Sequence, residues 1–243
     1  MRYGEIIELG RHKLMCGDAT SRDDVMSFVD GVKVDLVLTD PPYGIKVQRT
    51  DGRIGSGGYS PQGKYYSSPK YPQMINDDNA QCARDNYAII KKICGRLIMW
   101  GANNFCDILP MSNGWLVWDK RVRLKNSFSH CELAWTNVTG AIKLYAHEWC
   151  GCFREGSYKL NPRPRVHVTQ KPVELHMKIL EDFSKPGDII LDCFGGSGTT
   201  LIACEMTGRK CLMMEISPEY CDIIAERYNK LMYGKLPLEV ANA

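Results

Sequence analysis

One stretch constrains the fold more than any other. Asp188 to Cys193 reads as a β-strand, Gly195, Gly196 and Gly198 form a tight turn, Thr199 to Thr207 reads as a helix, and Lys210 to Glu215 reads as a second strand. A strand that turns through glycines into a helix and returns as a strand is a unit of a parallel sheet. The rest of the chain keeps that rhythm. Val34 to Thr39, Arg96 to Trp100, Trp115 to Trp118 and Glu132 to Thr136 read as strands. Thr20 or Ser21 caps a helix to about Asp30, Ala80 to Cys94 carries helical spacing, and Val173 to Phe183 is a helix stopped by Pro186-Gly187. Ser217-Pro218 starts a last helix, to about Met232, with a cap followed by proline at the first helical position. The expectation is an α/β fold in one domain spanning residues 1–243.

Composition excludes several classes. Lys plus Arg is 31 against 28 Asp plus Glu, a net charge of +3, so the chain is neither a basic tail protein nor an acidic solvating one. No unbroken apolar run exceeds four residues, far from the ~20 of a membrane span. The opening Met1 to Gly10 lacks the apolar core of a secretory signal. The 11 cysteines are odd in number and sit mostly in apolar patterns, which suits a reducing, cytoplasmic setting without disulfides. His147, Cys150 and Cys152 cluster, but lack the further ligands of a zinc site, so no metal is expected.

The glycine turn, Asp192 to Thr200, opens backbone N–H groups at a helix N-terminus to a ligand. It lacks the Lys of a triphosphate-binding loop, and Leu201 stands where a dinucleotide loop needs a third glycine. A nucleoside ligand without a pyrophosphate fits. Glu215, at the end of the next strand, then accepts from the ribose hydroxyls. The second feature is Thr39-Asp40-Pro41-Pro42-Tyr43-Gly44, also at a strand's C-terminal end. Two prolines lock the backbone and offer no N–H. The corner is rigid and rich in acceptors, with a ring beside it, which suits an exocyclic amino group held by Asp40 and the Pro41 carbonyl and stacked by Tyr43.

Together these motifs resemble the amino-group DNA methyltransferases. In that family an Asp-Pro-Pro-Tyr motif, here Asp40, Pro41, Pro42 and Tyr43, is catalytic, and a Phe-x-Gly-x-Gly motif, here Phe194 to Gly198, binds S-adenosylmethionine (SAM). The catalytic motif comes first, the permuted order of the β-class. Cys16-Gly17-Asp18, His167 to Pro172 and Glu215 to Tyr220 resemble further segments of the family. The likeness runs from about residue 12 to 230. It implies a Rossmann-like SAM-dependent methyltransferase fold, circularly permuted, with a mostly parallel central sheet and helices on both faces. It implies SAM contacts from Asp18, Lys171, Asp192, Phe194, Gly196, Ser197, Gly198, Thr199 and Glu215.

The reaction it implies is methyl transfer to N6 of adenine in a nucleotide flipped out of double-stranded DNA. N4 of cytosine is the alternative, since the family accepts both. A catalytically inactive DNA-binding relative and an RNA methyltransferase are the rivals of other classes. Dimers are common in the family, so the resemblance admits a homodimer without requiring one. Two stretches fall outside the likeness. Residues 45–75 hold five Lys/Arg, one acid and four Tyr, and read as a DNA-facing loop with Lys46, Arg49 and Arg53 on phosphates. Lys120 to Lys125 is a second basic cluster, including Arg121. Residues 137–166 occupy the place of a target-recognition insert, with Arg154, Lys159, Arg163 or Arg165 as base-edge readers.

Overall fold

Short strands with a strict alternation of buried faces build the core. Leu36 and Leu38 pack with one cluster of apolar residues and Val37 with another; Ile190 and Leu191 divide in the same way, as do Met213 and Met214. Strands buried on both faces must sit inside a sheet covered on both sides. The computed structural model describes residues 1–44, 48, 50–53, 58–59, 65–66, 70–121, 129–150, 153–156, 160 and 166–234. In chain order the strands are β1 (Ile6–Leu9), β2 (His12–Cys16), β3 (Leu36–Thr39), β4 (Gly58–Tyr59), β5 (Tyr65–Tyr66), β6 (Leu97–Trp100), β7 (Trp115–Asp119), β8 (Cys131–Thr136), β9 (Lys143–Ala146), β10 (Trp149–Cys150), β11 (Phe153–Arg154), β12 (Ile189–Asp192) and β13 (Lys210–Glu215). The helices are α1 (Arg22–Val29), α2 (Gln81–Ile90), α3 (Val173–Phe183), α4 (Thr199–Thr207) and α5 (Pro218–Tyr233).

Nine strands form one sheet in the order β1-β2-β13-β12-β3-β6-β8-β7-β9. The five from β2 to β6 are mutually parallel, β8 runs antiparallel between β6 and β7, and β1 pairs antiparallel with β2. Helices α3, α4 and α5 cover one face and α1 and α2 the other. The sheet is therefore mixed, with a parallel centre. From β12 the chain crosses through α4 to β13 on one side; from β3 it crosses through α2 to β6 on the other. The crevice between β12 and β3 is the place where such sheets bind ligands.

The helices begin where their caps stand. Ser21 Oγ accepts the Asp24 N–H at 3.2 Å to start α1, and Ser217 Oγ accepts the Tyr220 N–H at 3.4 Å to start α5. Helix α2 is shorter than the Ala80–Cys94 expectation, because residues 91–93 tighten into turns. Three strands of the nine-stranded sheet went unread. The β1–β2 hairpin pairs Ile6 with Met15, and β9 joins the sheet edge beside β7, pairing Leu116 with Lys143. The stretch 137–166 is thus partly sheet, with a two-stranded ribbon β10–β11 added. Cys16, Cys82, Cys94, Cys106, Cys131, Cys193, Cys204, Cys211 and Cys221 are free thiols. Among the described residues no helix is long and apolar enough to cross a membrane.

Candidate active site

The parallel strands bring their C-terminal ends to one edge, and four chain segments meet there. After β12 the backbone turns through Gly195, whose N–H donates to the Met214 carbonyl at 2.7 Å. Gly196 and Gly198 take positive φ, +51° and +76°, which only glycine adopts without strain. Gly198 caps α4. Behind the turn, the buried Arg227 guanidinium donates to the Ser197 carbonyl at 2.6 Å and to the Leu160 carbonyl at 2.6 Å. Thr199 Oγ1 donates to the Lys171 carbonyl at 3.1 Å. At the end of β13, Glu215 accepts the Gly196 N–H at 2.7 Å and the Ser217 N–H at 2.9 Å, one on each oxygen. Burial lifts its carboxyl to about 7 in spite of those donors. After β2, Asp18 Oδ1 accepts from the Thr20 N–H at 2.8 Å and hydroxyl at 2.7 Å, which orders the turn beside Glu215.

The corner after β3 is welded to the glycine turn. Thr39 Oγ1 donates to Asp192 Oδ1 at 2.9 Å and accepts the Cys193 N–H at 3.2 Å. Burial raises the Asp192 carboxyl to about 7. Asp40, Pro41 and Pro42 follow, and the Tyr43 ring lies against Gly101, where a Cβ would overlap the ring. Gly44 donates its N–H to Asp77 Oδ1 at 3.0 Å, tying the corner to residues 73–77, which wall the cleft.

Charge is arranged around Asp40. Lys171 Nζ donates to Asp40 Oδ2, lies 3.4 Å from Glu132 Oε2, and sits 5.2 Å from the centre of the Trp100 ring. Lys120 Nζ pairs with Glu132 Oε1 at 2.6 Å, closing an alternating chain of two acids and two bases. Burial and the Glu132 charge raise the Asp40 carboxyl against the pull of Lys171. Burial acts to lower Lys171, but the two carboxylates outweigh it and hold the ammonium above its ordinary value. Burial acts to raise Glu132, and Lys171 with Lys120 outweighs it. Asp40 Oδ1 is buried and has no hydrogen-bond partner among the described residues. A buried lone pair left open costs stability unless a ligand uses it.

One open cleft, about 1010 Å³ of empty space, runs between these parts. Asp40 to Tyr43 line one end, and Asp18, Gly196 and Glu215 line the other. Lys171, Asp192, Phe194, Ser197 and Thr199 lie along it, whereas Gly198 sits behind as the helix cap. Lys171 serves the Asp40 end, since its ammonium rests on the two carboxylates. His176, which reads as structural in the sequence, also lines the cleft: its ring stacks parallel to Trp100 at 6.2 Å, and burial holds it neutral, at about 3.

Of the DNA-facing candidates, Arg53 pairs with Asp51 at 3.5 Å, and its backbone bridges to Lys70. Arg121 is exposed, and its backbone N–H donates to Asp119 at 2.8 Å. Arg154 stands in β11 opposite Trp149. Lys46, Arg49, Lys159, Arg163 and Arg165 lie outside the described residues. Among the described residues no group of three His, Cys, Asp or Glu could hold a metal ion. Glu132 is the residue the sequence reading missed. Its signal was a lone acid in an otherwise apolar strand, legible only once β8 is known to run backwards and start at this edge.

The family model for N6/N4 DNA methylases matches residues 110–226. YubD of Escherichia coli K12 is 27% identical over 213 residues, covering 81% of this chain and 82% of its own length. The type II methyltransferase M.HinfI of Haemophilus influenzae is 24% identical over 242 residues, covering 82% of this chain and 64% of its own, so the chain spans under two thirds of it. Among solved structures, the PvuII DNA methyltransferase (cytosine-N4-specific) superposes with a TM-score of 0.60 at 16% identity, over 96% of this chain and 98% of that one. The SAM complex of M1.HpyAVI gives 0.56 at 20% identity, over 89% and 98%. At such identities the two structures speak for the fold. The family model covers just under half of the chain, so the chain is similar to the N6/N4 DNA methylases over residues 110–226, and the motif order and the crevice between β12 and β3 agree with that likeness.

Proposed function

We propose that this protein transfers a methyl group from SAM to the N6 amino group of an adenine flipped out of double-stranded DNA. The observation that carries the reading is the open, buried Oδ1 of Asp40, one strand away from the glycine turn and in the same cleft. The residues at the far end fit the cofactor. Glu215 retains lone pairs for ribose hydroxyls, Asp18 stands beside it, and glycine at 196 leaves the backbone bare where a side chain would fill the approach to His167. When bound, SAM supplies an electrophilic methyl group on a sulfonium.

The protein does the rest by position and charge. A base amino nitrogen is a weak nucleophile because its lone pair is delocalised into the ring. Asp40 Oδ1 and the Pro41 carbonyl each accept one N–H, which draws the nitrogen toward a tetrahedral shape and frees the lone pair. Tyr43, braced by Gly101, stacks on the base. Cytosine N4 is the second reading, favoured by the fold shared with the cytosine-N4-specific PvuII enzyme. Phosphate contacts from Lys46, Arg49, Arg53 and Arg121, and base contacts from Arg154, Lys159 and Arg163, complete the proposal.

The test is Asp40→Asn. Methyl transfer to DNA falls by about 10²- to 10⁴-fold, while SAM binding by calorimetry persists. Near wild-type transfer would remove Asp40 from the reaction. Nucleoside analysis of the product separates N6-methyladenine from N4-methylcytosine.

A further inference from the structure

We propose that Lys171 and Glu132 are a positioning pair: Lys171 engages one oxygen of Asp40 so that the other is left for the target amino group, and Glu132 holds Lys171 back from pairing with Asp40 alone. The inference rests on the methyltransferase reading and assigns a role to two residues that do not touch substrate in it.

The geometry supports a divided allegiance. Lys171 is only 4% exposed, so its charge has to be met locally. It meets two carboxylates, contacting Asp40 Oδ2 and lying 3.4 Å from Glu132, with the Trp100 ring 5.2 Å beneath it. The ring and the two acids come from β6, β8 and the corner after β3, so the ammonium is held from three directions. Lys120, following β7, supports Glu132 from the far side at 2.6 Å. The result is that Asp40 Oδ2 is occupied and Oδ1 is free. A carboxylate with one oxygen anchored cannot rotate, and it offers its remaining oxygen in one direction.

Asp40 is faced by Lys171 from the segment before α3, Glu132 from β8, Lys120 after β7, Tyr43 in its own corner and Asp192 from β12. His176 faces Lys171 from α3 and stays neutral. Glu132 and Lys171 therefore pull Asp40 in opposite senses: the first favours its protonated form, the second its ionised form.

Single-turnover methyl transfer measured against pH tests this. In the wild type, activity is lost as pH falls through the Asp40 ionisation. Glu132→Gln removes the negative neighbour and moves that acid limb to lower pH. Lys171→Met moves it to higher pH and lowers the rate at neutral pH by about 10- to 100-fold. SAM affinity, measured alongside, stays within about twofold in Glu132→Gln, as expected for a residue acting at the other end of the cleft. A limb that stays in place, or moves upward, in Glu132→Gln overturns the inference. Lys171→Met leaves two buried acids uncompensated; should it fail to fold, the direction of the Glu132→Gln shift decides alone. A wild-type protein that binds SAM but never methylates DNA defeats the parent reading instead.

Discussion

At the scale of the residue, the site stores its character in buried carboxyls. Glu215 and Asp192 are both lifted to about 7 by burial. The folded protein therefore binds these protons more tightly than the unfolded chain does. The stabilisation from Glu215 is full below its unfolded value of 4.5 and is lost as pH rises through about 7. The unliganded protein should melt at lower temperature at pH 8 than at pH 5. Glu215→Gln should flatten that fall, by on the order of 2 kcal/mol, with Asp192 supplying the remaining slope. The amide also destabilises outright, because its nitrogen faces a backbone donor, so the pH slope and not the absolute melting point is the readout. An unaltered slope would show that Glu215 is ionised in the folded state. The sequence pointed to Glu215, Asp40 and the glycines, since each carries a local requirement of turn or charge. It could not point to Glu132 or Trp100, whose roles come from touching Lys171.

Among the elements, the decisive contact is between two strand ends. Thr39 closes β3 and Asp192 closes β12, and the Thr39 hydroxyl joins them at 2.9 Å while accepting the Cys193 N–H at 3.2 Å. Both motifs are thus held to one frame by a single buried side chain, and a shift in either strand is felt in both motifs. Thr39→Val keeps the shape and removes the bonds, leaving a buried N–H without a partner. Equilibrium urea unfolding should show a loss of about 1–3 kcal/mol, read as a lower midpoint at unchanged slope. A midpoint that does not move would mean water replaces the hydroxyl. Helices α3 and α4 and strand β13 match the boundaries read from the sequence, because periodicity, proline and glycine mark their ends. Strand β9 escaped notice for a physical reason. It is an edge strand with Leu144 67% exposed, so it lacks the inward alternation that identifies a buried strand.

For the whole molecule, a net charge of +3 is too small for a general polyanion surface, so the proposed function requires local clusters to meet DNA. Residues 45–75 follow the Asp40–Tyr43 corner in the chain, and residues 73–77 wall the cleft. Replacing Lys46, Arg49 and Arg53 together by Ala should weaken DNA binding and reduce its salt dependence, by about 0.9 in the logarithmic slope for each phosphate no longer neutralised. An unchanged slope in a filter-binding titration would place the footprint elsewhere. Arg227 adds a long-range tie, since it bonds the glycine turn and the carbonyl of Leu160 in the stretch read as a recognition insert.

The amino-acid order alone was enough for the βαβ rhythm, the two motifs and their permuted order. Each of these depends on backbone requirements spanning a few neighbours: a glycine with positive φ, a proline without an N–H, an apolar residue at every second or fourth place. Which strands lie side by side was a matter of packing. Burying both faces of β3 and β12 made them neighbours and brought Asp40 to the glycine turn, 154 positions before Phe194 in the chain. Running β8 in reverse carried Glu132 to the same edge. Charges so far apart in sequence interact only after the sheet has formed and excluded water from between them.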